Sequence, residues 1–366
     1  MLLQPDTITF QASKSLGLEQ PVEFNAGSYY VQTLHLKKGW NWVSFYVFND
    51  KTFSNANTLL SAFPWKEGDA LTDNTENHSL VFRDGAWLNS DGSKNLSIRS
   101  NRSYCVNVQQ DIDVPVAGAI ISESSRRTIS VDQGWNSIGY TPMLNLTVET
   151  ALASYYDSAE EGDIIKSHDE FAYFTRTKGV GHWQGNLKYM VPGEGYMLHR
   201  KGQGKATFIY PFFEPGSTFL DEIRNAPASG SIDGGKPFTM SVTAIATGVE
   251  LEPGDRLMVY AEGDLRGVSS AYTADSLFYL SVEGDREEPL SFAIEREGDI
   301  IATTGELLKF GKNQVLGTPS IPTRIDFVRR DIPKAGWYTL DGIKLDKRPV
   351  KKGVYIFNGK KKVIEN

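Results

Sequence analysis

Gly39-Trp40-Asn41-Trp42-Val43-Ser44-Phe45-Tyr46-Val47 returns in degenerate form 95 residues later, as Gly134-Trp135-Asn136-Ser137-Ile138-Gly139-Tyr140. The correspondence spreads outward. Glu67-Gly68-Asp69 recurs as Glu161-Gly162-Asp163, Gly85-Ala86-Trp87 as Gly181-His182-Trp183, and Arg102-Ser103-Tyr104-Cys105-Val106 as Glu194-Gly195-Tyr196-Met197-Leu198, with offsets between 92 and 96. Two copies of one small domain therefore fill roughly residues 33 to 211, and a duplication of this period constrains architecture more than any single motif. The two copies differ at Trp42/Ser137 and Phe45/Tyr140 while keeping Gly-Trp-Asn. The constant part reads as a turn and a core anchor.

Each copy offers a tryptophan-rich strand, a short helix and three or more further strands. Asn55 is placed to cap a helix over Ala56 to Phe63, and Thr147 one over Val148 to Tyr156. Strands follow at Asp69 to Thr72 or Asp163 to Lys166, at Leu80 to Arg83 or Phe171 to Phe174, and at Tyr104 to Val108 or Tyr196 to Arg200. Residues 1–31 carry short alternating stretches, Thr7 to Phe10 and Val22 to Phe24, that read as the end of an upstream domain. Repeat 1 then occupies 32–121 and repeat 2 occupies 122–213. Past a Gly, Ser, Pro and Asp-rich connector at Asn225 to Gly235, four alternating stretches over 226–327 predict an antiparallel β-sandwich or barrel, of which the sandwich is the fold expected. A tail at 333–366 carries the hairpin signals Asp341-Gly342 and Asn358-Gly359. The fold class expected is mainly β with some α+β character.

The 366 residues suffice for two to four domains, and the charged and hydrophobic fractions, 23% and 40%, are those of a globular chain. A net charge of -7 argues against general nucleic-acid binding, because neutralising phosphates needs a basic face. No apolar run is long enough for a membrane-spanning helix, and Met1 to Asp6 lacks the pattern of a signal peptide. The single Cys105 leaves the compartment open.

The tail, with Tyr338-Thr339-Leu340-Asp341-Gly342, Lys352-Gly353-Val354-Tyr355-Ile356 and Asn358-Gly359-Lys360-Lys361, resembles the C-terminal sorting domain of the type IX secretion system of Bacteroidetes. The stretch before it, with Val259 to Val268 and Phe278 to Gly284, resembles a β-sandwich module that often precedes such tails. The Gly-Trp-Asn repeats resemble modules of large surface proteins in the same bacteria. Together these resemblances imply export to the outer cell surface or the exterior, with the secretion machinery as one partner.

The residues themselves show no catalytic constellation. His35, His78, His168, His182 and His199 include no i, i+3 or i, i+4 pair, Cys-x-x-Cys is absent, and no Gly-x-Ser-x-Gly elbow occurs, so neither metal nor cofactor is expected. Cys105 aligns with Met197 and reads as a buried hydrophobe. Asp69 and Asp163, like Glu67 and Glu161, recur in both copies, which argues for a turn whose carboxylate binds backbone amides over a pair of hydrolytic acids. Asp255, Glu262, Asp264, Asp275, Glu283 and Asp285 read as solvated loop ends without calcium-loop spacing. The aromatic surplus is the candidate site. Trp87 beside Asn89, and Trp183 beside Gln184 and Asn186, fall in polar stretches that read as turns, where a ring flanked by amides can stack on a sugar or clamp a peptide. The alternative is that each ring folds back over its own small core.

The function expected is that of a non-catalytic surface or secreted binding protein, with carbohydrate or host protein as ligand. The alternative is the accessory C-terminal region of a larger secreted enzyme, such as a glycoside hydrolase or peptidase.

Overall fold

The computed structural model describes residues 30–60, 63–73, 78–92, 96–213, 235–273, 277–329, 337–339, 343–345, 347–351, 353–357 and 360–364. It is mainly β, with sheets that are mostly antiparallel and a few one-turn helices. The expected strands at Thr7 to Phe10 and Val22 to Phe24, and the turn residues Asp341-Gly342 and Asn358-Gly359, lie outside the described residues.

The repeat is visible as one topology used twice. In the first copy a five-stranded sheet runs Gly39–Val43, Tyr104–Val108, Ala70–Asp73, His78–Arg83, Ala86–Leu88 in spatial order; in the second the order is Gly134–Gly139, Gly195–Arg200, Ile164–Lys166, Phe171–Thr177, Val180–Gly185. The Gly-Trp-Asn signature is a strand-entry clamp. Gly39 and Gly134 take φ of 100° and 91°, which a side chain would strain. The asparagine two residues on then closes the turn: Asn41 Oδ1 accepts from the Lys37 amide at 2.9 Å, and Asn136 Oδ1 from the Asp132 amide at 2.8 Å. Their Nδ2 groups donate back to Lys37 and Gly39, or to Asp132 and Gly134.

A second device recurs three times. Asp69, Asp163 and Asp255 each follow a glycine of positive φ and accept from the amide three residues back, Lys66, Glu160 and Glu252, at 2.8, 3.0 and 2.8 Å. In the repeats the other carboxylate oxygen accepts from Gln109 or Lys201, tying the turn to the end of the neighbouring strand. Asp69 and Asp163 are structural, as their recurrence indicates; Asp255, expected as a solvated loop end, is instead buried, 1% exposed, and paired with Arg296.

Asn55 and Thr147 cap helices as expected, but the helices end at Leu59 and Ala151, the latter passing into a 3-10 turn over Ala153–Tyr155. Each repeat buries its own apolar cluster, around Phe45, Phe53, Trp87 and Tyr104 in the first and around Tyr140, Tyr155, Phe174 and Tyr196 in the second.

The two repeats meet through a pseudo-two-fold contact. The Ser44 amide donates to Gly193 O, while at the counterpart of Ser44, Gly139, an added Cβ would collide with Ser100 O and Arg102 backbone. Gly195 packs against Ser103, which is its own counterpart in the other copy. A residue meeting its equivalent is the mark of an isologous interface, here built within one chain.

Over 238–329 two sheets enclose a third cluster that includes Val242, Leu257, Leu280, Phe292 and Ile294. The arrangement departs from the all-antiparallel expectation, because Phe238–Thr247 pairs in parallel with Val315–Leu316 and Thr323–Asp326. In the tail, Lys344–Leu345, Trp337–Tyr338, Gly353–Phe357 and Lys360–Ile364 form one four-stranded antiparallel sheet.

Candidate functional site

The tryptophans singled out in the sequence are core residues. Trp87 is 1% exposed and Trp183 6%, and each stands on a strand, opposite Phe82 and Phe174 respectively. The turns lie earlier, at Asp84-Gly85 and Lys178-Gly179, where both residues of each pair have positive φ, the backbone of a two-residue type I′ hairpin. Trp87 packs edge-on to Trp65 and Phe82, at centroid distances of 5.0 and 5.6 Å, and Trp183 to Phe174 at 5.3 Å. No face remains for a sugar. Asn89 Oδ1 bonds His78 Nε2 at 2.6 Å, Asn186 Oδ1 accepts from the Phe171 amide at 3.0 Å, and Gln184 sits mid-strand opposite Tyr173. Trp87 and Trp183 therefore belong to two separate domain cores, with Asn89, Gln184 and Asn186 half-buried beside them, and the five do not converge, which favours the core alternative over the stacking expectation.

What does converge is the place where repeat 1, repeat 2 and the sandwich touch. The sheet of repeat 2 is covered on both faces: Ile164, Phe171 and Tyr173 leave its own core and pack on Tyr279 of the sandwich. Tyr173 OH donates to Gly317 O at 2.8 Å, and Ser281 Oγ to His168 O at 2.7 Å. Trp42, Cys105 and Met197, flanked by Trp40 and Trp135, close the adjoining seam between the repeats.

Lys166 lies at this junction and is 1% exposed. Its ammonium donates to Thr239 O, Thr239 Oγ1 and Asn313 Oδ1 at 3.2, 2.9 and 2.9 Å, so all three protons have acceptors, none of them a carboxylate. It also stands 4.5 Å from the Trp135 ring centroid and 5.5 Å from that of Trp42. Burial pulls its pKa down to about 7, with the Cys105 side opposing and Lys312 adding to the shift.

Two residues along, His168 donates from both ring nitrogens, to Asp169 Oδ1 and to Lys236 O, each at 2.9 Å, with Glu283 Oε1 3.4 Å from Nδ1. Burial alone would depress the imidazole; the Asp169 hydrogen bond and the Glu283 and Asp169 charges outweigh it and hold the pKa at about 9. One histidine and two carboxylates within 4.8 Å form a donor set that metals accept. Here both nitrogens carry protons, leaving no lone pair for a cation, and Glu283 Oε2 is engaged by the Lys236 amide. The cluster is an ion-paired clasp between repeat 2 and the sandwich.

Beside the clasp opens a cavity of 160 Å³ lined by Trp42, Trp135, Ser137, Met197, Phe238, Lys312 and Asn313. Every one of the three units contributes. Trp135 Nε1 donates to Asn313 O at 3.1 Å, and Lys312 Nζ lies 3.7 Å from the Phe238 ring centroid. Sequence reasoning missed this site because its members stand far apart in the chain, and Trp42 and Trp135 carried only a core signal. The change from Trp42 to Ser137 between the copies was the available clue: both face the cavity, so the pair need not match.

No family model and no curated protein matches the chain. Among solved structures, the Bacillus anthracis TIE protein aligns at 7% identity and a TM-score of 0.16, over 94% of this chain and 54% of that one. A likeness of that size carries no argument about fold or function. This chain spans about half the length of that protein.

Proposed function

We propose that the protein is a non-catalytic binding protein of the cell exterior that recognises carbohydrate at the three-unit junction. The observation that supports this reading is the cavity framed by Trp42 and Trp135, with Lys312 and Asn313 at its polar side. Sugar recognition needs an apolar ring face beside fixed hydrogen-bonding groups, and cavities at domain junctions are the usual location for small-ligand sites. The clasps around Lys166 and His168 hold repeat 2 and the sandwich in register, which preorganises that side of the lining. Export rests on the resemblance of the tail to a sorting domain.

A glycan array probed with the parent and with Trp135→Ala tests the reading. Binding by the parent that is lost in the variant is the expected result. Parent binding only to host proteins, with no glycan retained, would replace the carbohydrate ligand by a protein partner. For export, a chain ending at Phe327 is expected to stay inside the producing cell; normal surface delivery would refute the role given to the tail.

A further inference from the structure

We infer that the junction cavity takes a carboxylated sugar residue of the uronic-acid type in preference to a neutral one, a specificity that rests on the carbohydrate reading above. Trp42 Nε1 is a donor without a partner on a residue only 7% exposed, and Trp42 lines the cavity. Asn313 must turn its side-chain oxygen toward Lys166, since an ammonium only donates, and this leaves the amide NH2 as the free end. Lys312 adds an ammonium that rests on the Phe238 ring and, among the described residues, has no carboxylate partner.

The acceptors on Asn313 and the Ser137 side chain, by contrast, are occupied. Asn313 O receives the Trp135 indole, Asn313 Oδ1 receives Lys166, and the Ser137 hydroxyl is exchanged with Ser103 at 2.6 Å. No acidic side chain lines the space. A neutral sugar hydroxyl both donates and accepts, so polar side chains that offer free donors and engaged acceptors leave its protons unmatched. A carboxylate only accepts, and buried polar groups left unpaired are what specificity penalises most. The volume, small beside the ~300 Å³ at which drug-sized pockets begin, suits a single ring or chain end.

The experiment is a calorimetric titration of the full chain with glucuronate, its methyl ester and glucose, repeated with Lys312→Gln. Glucuronate is expected to bind at least tenfold more tightly than either neutral ligand, and Lys312→Gln to weaken glucuronate by about fivefold, a larger factor than it weakens glucose. Equal binding of all three, or glucuronate binding unmoved by Lys312→Gln, overturns the anionic specificity and leaves the carbohydrate reading in place. If none of the three binds and the glycan array is also blank, both fall; if the array retains only neutral glycans, the inference alone falls. Lys312 is exposed, and an unchanged thermal midpoint shows that the variant is folded. Trp135→Ala serves as the second variant: glucuronate binding that survives it places the ligand elsewhere.

Discussion

His168 and Lys166 stand two residues apart and titrate in opposite senses, which makes their contributions separable. The imidazole, unfolded near 6.5 and folded near 9, stabilises the native clasp fully below pH 6.5 and loses that contribution as pH rises through about 9. His168→Gln is therefore expected to lower the thermal midpoint most at pH 6 and little at pH 10. Lys166 behaves the other way. With its folded pKa near 7 against 10.5, the unfolded chain gains the proton first as pH falls, so the native state is penalised progressively between pH 10.5 and 7. Replacing it by methionine is expected to become relatively more favourable over that same fall in pH, measured by thermal unfolding at pH 6, 8 and 10. A Lys166→Met profile parallel to that of the parent would contradict the buried, depressed amine. Neither role was legible in the sequence. Lys166 aligns with Thr72, a polar residue on the same strand of repeat 1, and only the sandwich packed against repeat 2 makes its position an interior one.

At the scale of elements, the sequence conveyed the strands and the Gly-Asp turns well, because both copies repeat the same local physics. Asp163 has one partner more than Asp69: besides the two backbone amides, Tyr155 OH donates to it at 2.7 Å. Asp163→Ala is expected to cost about 1 kcal/mol more than Asp69→Ala in denaturant unfolding, the difference being that one additional hydrogen bond; equal costs would show that the tyrosine contact is unimportant. The tryptophan hairpins were misread for a local reason. Gly181-His182 looks like a turn, but the reversal uses Lys178-Gly179, and the strands of this hairpin run further than those of repeat 1 before the tryptophan is reached. Phe82 and Phe174 are related by 92 positions and Trp87 and Trp183 by 96, so the drift in offset recorded a longer hairpin. Trp87→Ala, emptying a core position, is expected to lose about 3–5 kcal/mol of stability by denaturant unfolding.

For the molecule as a whole, the sequence predicted how many units there are better than how they meet. Burial records the difference: the strand Ala70–Asp73 alternates between buried and half-buried positions, whereas its counterpart Ile164–Lys166 is buried throughout, because the sandwich covers its outer face. The apolar run Ile164-Ile165 was in view, but an apolar run does not say which partner covers it. The pseudo-two-fold seam was equally hidden, although Gly139 marks it, being small where a Cβ would strike the backbone of the other repeat. Gly139→Ala is expected to separate the repeats energetically, splitting or broadening a single calorimetric transition; an unaltered transition would mean that the seam does not couple them. The central claim is that recognition belongs to the junction and not to the hairpin tryptophans. Its most direct test is calorimetric titration of one array-selected acidic glycan into the parent, Trp135→Ala and Trp183→Phe. The expected result is loss of binding in Trp135→Ala and unchanged affinity in a folded Trp183→Phe; the reverse pattern would contradict it.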